Sequence, residues 1–188
     1  ELIPQLAQEF KAVFGRDSGG LIRTYCTDDA ETIVIAMGSV PGTIKDTIDE
    51  MRAAGHKIGV LAITGFRPFP LVEVAAALKN CKRFVVLEKS LAVGIGGIVA
   101  TNVRMAVTGM GLKGYTVVAG LGGRAITMKS LTTLFERAGR DELDLVNFLD
   151  LDWKVVNKQL EREREKRRTG PAAEAMLRDI GAVAARNY

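Results

Sequence analysis

Three glycine-rich turns, a lone histidine and a few charged residues at strand ends are the places in this chain where chemistry could be done. Gly109-Met110-Gly111-Leu112-Lys113-Gly114 matches the dinucleotide pattern G-x-G-x-x-G letter for letter. That pattern works only where it follows a strand and opens a helix, so that helix amides face a pyrophosphate. Here a helical stretch precedes it and a strand follows, so it reads as a helix-to-strand connection with Gly109 as the helix terminator. Gly120-Leu121-Gly122-Gly123-Arg124-Ala125 fits the variant ending in Ala and does follow a strand. The second strand with an acidic end that a dinucleotide fold needs ~20 residues later is missing. Gly122, Gly123 and Arg124 therefore remain candidates either for anion binding or for a close-packed turn.

The third cluster, Gly94-Ile95-Gly96-Gly97, lies between a strand ending at Glu88 and a helix starting at Ile98. Gly94, Gly96 and Gly97 could admit a carboxylate or phosphate to the helix-start amides, or allow close packing against a neighbouring domain. Glu88 sits where α/β proteins place their ligands; it could be an acid–base group or a salt-bridge partner of Lys89 or Arg67. Arg67 belongs to Phe66-Arg67-Pro68-Phe69-Pro70, a turn stiffened by its prolines, and could meet a carboxylate across an interface. Gly38-Ser39-Val40-Pro41-Gly42-Thr43-Ile44 is a strand-to-helix turn without the Lys-Ser/Thr pair of a phosphate loop. His56 is the only histidine and falls on a turn at the opposite end of the sheet from the strand C-termini, so neither a metal site nor a Ser-His-Asp triad is expected. Cys26 and Cys81 cannot supply the four thiolates of an iron–sulfur cluster, and two unpaired thiols suit a reducing, cytoplasmic setting. No catalytic residue, no metal site and no cofactor-binding site is expected in this chain; Arg67, Glu88, Gly94, Gly96, Gly97, Gly122, Gly123 and Arg124 are carried as anion or interface candidates.

The elements that would position these residues are legible as apolar runs. Thr32–Met37, Ile58–Ile63, Phe84–Leu87 and Thr116–Ala119 are continuous rather than alternating, which marks strands buried on both faces of a parallel sheet. Helical spacing fills the intervals at 43–54, 71–80 and 98–107, and a further helix at 128–138 follows the last strand. A β-α repeat of this kind implies right-handed crossovers with helices on both faces. Leu2 to Phe14 is an amphipathic helix ended by the turn at 15–20, and Leu21 to Tyr25 is a short strand at an edge. Residues 141–168 read as strand-free helix with an apolar stripe of Leu143, Val146, Leu149, Trp153, Val156 and Leu160; Gly170-Pro171 breaks it, and 172–185 is a last helix.

Composition narrows the classes. A chain of 188 residues with 47% hydrophobic and 26% charged residues suits one globular domain plus a short extension. Its longest apolar runs fall far short of the ~20 residues needed to span a bilayer. The net charge of +4 concentrates towards the C-terminus, where Arg162 to Arg168 mixes signs; that suits a solvated or partner-docking helix face rather than nucleic-acid binding. The chain opens Glu1-Leu2-Ile3-Pro4 without an initiator methionine, which is read as the start of a fragment or of a processed segment.

Several phrases occur together and in order: residues 29–39, then Phe66-Arg67-Pro68-Phe69-Pro70, then Val86-Leu87-Glu88-Lys89 before Gly96-Gly97, then Gly120-Leu121-Gly122-Gly123-Arg124. From roughly Phe10 to Ala138 the chain resembles the second domain of the α-subunit of pyruvate and related 2-oxoacid:ferredoxin oxidoreductases. The resemblance implies an α/β fold, a three-layer α/β/α sandwich with a mostly parallel sheet like the C-terminal domain of transketolase, here with a helical C-terminal extension. It also implies an enzyme complex that uses thiamine diphosphate with Mg2+, iron–sulfur clusters and coenzyme A to turn a 2-oxoacid into acyl-CoA and CO2 and to reduce ferredoxin. Those cofactors would belong to other domains or subunits, including the thiamine-binding ones, with ferredoxin reached indirectly and no membrane involved. Residues 1–30 are then expected to be a connector helix and linker, 31–139 the transketolase C-terminal-like domain, and 140–188 a helical tail that docks to a subunit. The competing readings are a stand-alone module that holds an anionic cofactor at the Gly94–Gly97 turn and, with less support, a flavodoxin-like electron carrier.

Overall fold

The computed structural model describes residues 2–165. One compact unit runs to Asp150, and residues from Leu151 onward form a separate unit. The first contains α1 (Leu2–Phe14), β1 (Ile22–Tyr25), β2 (Thr32–Met37), α2 (Pro41–Ala53), β3 (Ile58–Ile63), α3 (Leu71–Leu78), β4 (Arg83–Glu88), α4 (Ile98–Ala106), β5 (Lys113–Val118), α5 (Met128–Gly139) and β6 (Val146–Phe148). In the second, α6 (Trp153–Glu165) opens with Asp152, whose carboxylate accepts from the amides of Lys154 at 3.1 Å and Val155 at 3.2 Å. An Asp at this position satisfies first-turn donors that have no partner inside the helix.

The strands form one sheet in the order β1-β3-β2-β4-β5-β6, with β2 to β6 parallel and β1 antiparallel to β3. Because successive strand residues point to opposite faces, the continuous apolar runs divide into two cores. Val34, Ala36, Val60, Val85 and Val117 face α2 and α5, which bring Ile44, Ile48, Leu131 and Phe135 to them. Ile33, Ile35, Leu61, Phe84 and Val86 face α3 and α4, which supply Val74, Leu78, Ala100 and Val103. Each Val, Leu, Ile or Phe side chain among these contributes about 1.5–3 kcal/mol on leaving water, before the entropy of ordering it is set against that gain. The result is the three-layer sandwich the apolar runs imply, with β2 and β3 in the positions and at the lengths read from the sequence.

Two expectations are corrected at the C-terminal side. Residues 141–168 are not strand-free: β6 pairs with β5 in the register Thr116↔Val146 to Val118↔Phe148. Its bonds include Thr116 N–H to Leu145 O at 3.0 Å and Leu149 N–H to Val118 O at 2.9 Å. The Leu143, Val146 and Leu149 spacing that suggested a helix serves instead to send Leu143 into the α2–α5 core while a three-residue edge strand passes by. The crossovers also do not all share one hand. The β2–α2–β3 and β5–α5–β6 connections place their helices on the same face yet travel in opposite directions across the sheet, so their hands are opposite. Connections through α3 and α4 agree with that through α2, and the right-handed rule identifies the β5–α5–β6 crossover as the exception. At the other end, Ile22–Tyr25 within the expected connector is part of the sheet, at its edge, while α1 buries none of its residues.

Asp141 fastens the start of the sheet. With its backbone in the left-handed region, φ 57°, it accepts from Arg83 Nε at 2.8 Å, Lys113 Nζ at 2.6 Å and Tyr115 OH at 3.0 Å. These bonds, from Lys113 first and then Arg83, hold its carboxyl well below the usual carboxylate range. A depressed folded-state pKa means stability that is present above the ordinary Asp value of ~3.9 and lost as the pH falls through the lower, folded one. Asp141→Asn is expected to lower the unfolding free energy by about 1–3 kcal/mol at pH 7. In urea titrations across a pH series, its stability should also fall less steeply than the parent's below about pH 4.

Candidate functional site

The strand C-termini carry most of the sequence candidates, and the pleat sorts them onto two sides. Glu88, the last residue of β4, turns towards α4 and is 8% exposed. Its Oε2 accepts from the Val99 amide at 2.9 Å and its Oε1 from the Ala100 amide at 3.0 Å. A helix N-terminus presents unpaired N–H groups and a positive partial charge, and a carboxylate satisfies both. Gly97, just before the helix, has to be glycine for this reason: a Cβ there would stand 2.0 Å from Glu88 Oε1. The anion site at this turn is thus filled by the chain's own glutamate, and the amides of Val99 and Ala100 are not open to a cofactor. Gly94 and Gly96 have φ of 82° and 88° and shape a tight loop closed by the Ala92–Gly96 pair, and the loop leaves Val93 and Ile95 exposed.

Glu88 pairs with neither Lys89 nor Arg67. The Arg67 guanidinium stacks on Phe66, 3.9 Å from the ring centroid, and donates to Phe66 O at 3.0 Å and to Asn102 Oδ1 on α4 at 3.4 Å. Deeper on the same face, Arg104 donates to Gly114 O at 3.2 Å and Thr116 Oγ1 at 3.1 Å, and burial pulls its pKa below the ordinary arginine value. No motif marked Arg104 in the sequence, because its partners come from β5 and only the fold brings them close.

Lys89 follows Glu88 and so turns to the other side, where a cavity of about 530 Å³ opens among residues that include Gly38, Ser39, Thr43, Lys89, Arg124 and Ile126. The Lys89 stem crosses Gly120, where a Cβ would lie 3.0 Å from its Cε. Gly122 and Gly123, with φ of 62° and 77°, stay outside this cavity and turn the chain so that Arg124 reaches its rim. Arg124 donates to the Asp150 carbonyl oxygen. The cavity has a topological origin. The chain leaves β2 towards β3 by way of α2 and leaves β4 towards β5 by way of α4, so the two neighbouring strand ends send their connections apart. Such a divergence opens a crevice beyond the strand C-termini, where open α/β sheets bind ligands. Strand order is what creates it, so Ser39, Thr43 and Lys89 could not be grouped from spacing alone.

A second cavity, about 520 Å³, lies at the strand N-termini and includes His56, Lys57, Arg83 and Arg140. Several of its charges are internally paired, Arg83 with Asp141 at 2.8 Å, Arg140 with Glu142 at 2.9 Å and Glu31 with Lys82 at 2.8 Å. Cys81 is buried with its thiol donating to Leu78 O at 3.2 Å, and burial pushes its pKa up to about 11. Among the described residues no three His, Cys, Asp or Glu side chains converge as a metal site would require, so they do not fit an iron–sulfur cluster or a bound metal ion.

The Glu88–Gly97 contact makes a testable pair. Gly97→Ala is expected to cost about 1–3 kcal/mol while Glu88 is present, because the added methyl displaces a buried carboxylate from its two donors. In a Glu88→Ala background the clash with the carboxylate is gone, the nearest neighbour is Thr116 Cγ2 at 3.2 Å, and the same substitution should cost less. Thermal or urea unfolding of the four proteins should give a coupling energy above ~0.5 kcal/mol; strict additivity would mean that the two residues do not constrain each other.

The segment that carries these strand ends is similar to known proteins. A family model described as "Pyruvate:ferredoxin oxidoreductase core domain II" matches residues 30–131. Pyruvate synthase subunit PorA of Methanosarcina barkeri is 42% identical over 139 residues, covering 71% of this chain and 34% of that protein. PorA of Pyrococcus furiosus is 35% identical over 164 residues, 83% of this chain and 41% of its own length. Ketoisovalerate oxidoreductase subunit VorA of Pyrococcus horikoshii is 34% identical over 140 residues, 72% of this chain and 35% of its own. The chain thus spans about a third of the length of the curated relatives it matches. A solved structure of 2-oxoglutarate:ferredoxin oxidoreductase from Magnetococcus marinus aligns with a TM-score of 0.47 at 16% identity, covering 69% of this chain and 21% of that one. The segment that carries β2 to β5 and the glutamate-capped turn is the matched segment, and the chain belongs to the pyruvate:ferredoxin oxidoreductase core domain II family.

Proposed function

We propose that this chain works as a non-catalytic core domain of a multi-subunit 2-oxoacid:ferredoxin oxidoreductase, supporting a thiamine-binding domain and neighbouring subunits. The family match over residues 30–131 carries the reading, and the likeness to PorA and VorA subunits supports pyruvate or a branched 2-oxoacid as substrate. In this proposal thiamine diphosphate, Mg2+, iron–sulfur clusters and coenzyme A are held by other domains or subunits, which pass electrons to ferredoxin. The internal engagement of Glu88 and Asp141 and the burial of Cys81 support a structural part, since each of these groups is already committed within the sheet. We further propose that α1 leads in from a preceding domain that covers its apolar residues Leu2, Leu6 and Phe10, and that residues beyond Asp150 dock to a subunit. Among the described residues no helix is long and apolar enough to cross a membrane. The free thiols of Cys26 and Cys81 support placing the assembly in the reducing cytoplasm. The expected helix at 172–185 lies outside the described residues.

The experiment is purification of the native assembly through a tag on this chain. The assembly is expected to reduce ferredoxin in a reaction that depends on both coenzyme A and a 2-oxoacid, while the isolated chain shows no such activity and no uptake of thiamine diphosphate. Ferredoxin reduction by the isolated chain, or an assembly inert towards every 2-oxoacid tried, would overturn the proposal.

A further inference from the structure

The crevice at the ends of β2, β4 and β5 carries two positive charges that no carboxylate answers. Among the described residues Lys89 Nζ has no hydrogen-bond or ion-pair partner, and the guanidinium of Arg124 is bonded only to a neutral carbonyl. The one carboxylate among the lining residues, that of Glu88, is spent on the α4 amides. Both side chains are exposed to solvent, and like charges gathered on one concave surface raise the local concentration of anions. The hydroxyls of Ser39 and Thr43 line the same space, and Val40, Leu87, Ala119 and Ile126 give it an apolar wall. About 530 Å³ is the size of a small-molecule site, larger than a bare oxyanion needs. The α2 helix also begins at the crevice with Pro41, so its positive end adds to the same field.

We propose that this crevice binds a small phosphorylated molecule, its phosphate between Lys89 and Arg124 and its remaining part against the apolar wall. The site lies on the α2–α5 side of the sheet, away from the glycine turn at Gly94–Gly97, and does not depend on the oxidoreductase reading. A phosphate dianion matches the two cations in charge, and the guanidinium fork of Arg124 suits its oxygens. Free phosphate and a phosphorylated metabolite share this chemistry, and the spare volume favours the metabolite.

Inorganic phosphate and ADP, titrated separately into the 188-residue chain and followed by amide and lysine NMR shifts, test the site. The expected result is saturable shifts at Gly38, Ser39, Thr43 and Lys89, with ADP binding tighter than phosphate. Lys89→Gln and Arg124→Gln should each weaken binding roughly tenfold, and Lys89→Gln should do so at an unchanged melting temperature because the Lys89 side chain makes no bond among the described residues. Ser39→Asp, which places a carboxylate in the crevice, should weaken it independently of any effect at Arg124. ADP no tighter than phosphate would leave the oxyanion site standing but overturn the metabolite. Shifts that fail to saturate, that survive all three substitutions, or that centre on His56 and Arg140 at the other end of the sheet would overturn the site.

Discussion

A parallel sheet has no face it can leave to water, and most of this chain follows from covering both. Strands such as Thr32–Met37 are apolar on consecutive residues, so helices have to arrive on both sides. Three connections of one hand cover the α3–α4 face fully but bring only α2 to the other. Val85, Leu87 and Val117 would then be bare. The crossover through α5, of the opposite hand, lays Leu131, Leu134 and Phe135 over them. This connection departs from a rule that holds in nearly all parallel sheets, and what accompanies it is the burial of that apolar surface under α5.

The same pleat that divides the cores divides the chemistry. Two adjacent charged residues, Glu88 and Lys89, leave the end of one strand for opposite faces. One becomes an internal cap that ties β4 to α4, and the other stands over Gly120 without a partner among the described residues. Had they paired with each other, as neighbouring opposite charges suggest, α4 would have kept an open positive end and the crevice would have lost a cation. An electrostatic division of this sort costs no extra chain: alternation by itself makes one side of the sheet edge neutral and the other positive.

Much of the framework was legible because it rests on local pattern. Apolar runs of six residues placed β2 and β3 to the residue, and glycine after helical spacing placed the turns that follow. The candidate site was only half legible. Glu88 and Arg124 stood out as charges at strand ends, but their surroundings depend on strand order, which reverses at β2 and leaves no local trace. Gly97 reads as a place of close approach to a ligand, and the close approach is real, but what approaches is a side chain nine residues earlier in the chain. β6 was missed because its pairing owes nothing to its own three residues: Val146, Asn147 and Phe148 are a strand only because β5 offers an unpaired edge.

That last strand gives the domain a movable margin. β6 touches the sheet through β5 alone, while α5, whose burial is extensive, can stay packed whether or not β6 is paired. Opening this edge would expose little apolar surface, so its free energy belongs near the low end of the range between fraying and global unfolding. Besides its ladder bonds to β5 and the buried Leu143, this edge is held by the carboxylate of Asp141, bonded to the first residues of β4 and β5 just before the chain enters Leu143 and β6. Loss of this margin would uncover the backbone of β5 as an edge that another strand can pair with, while the layers behind it keep their own contacts.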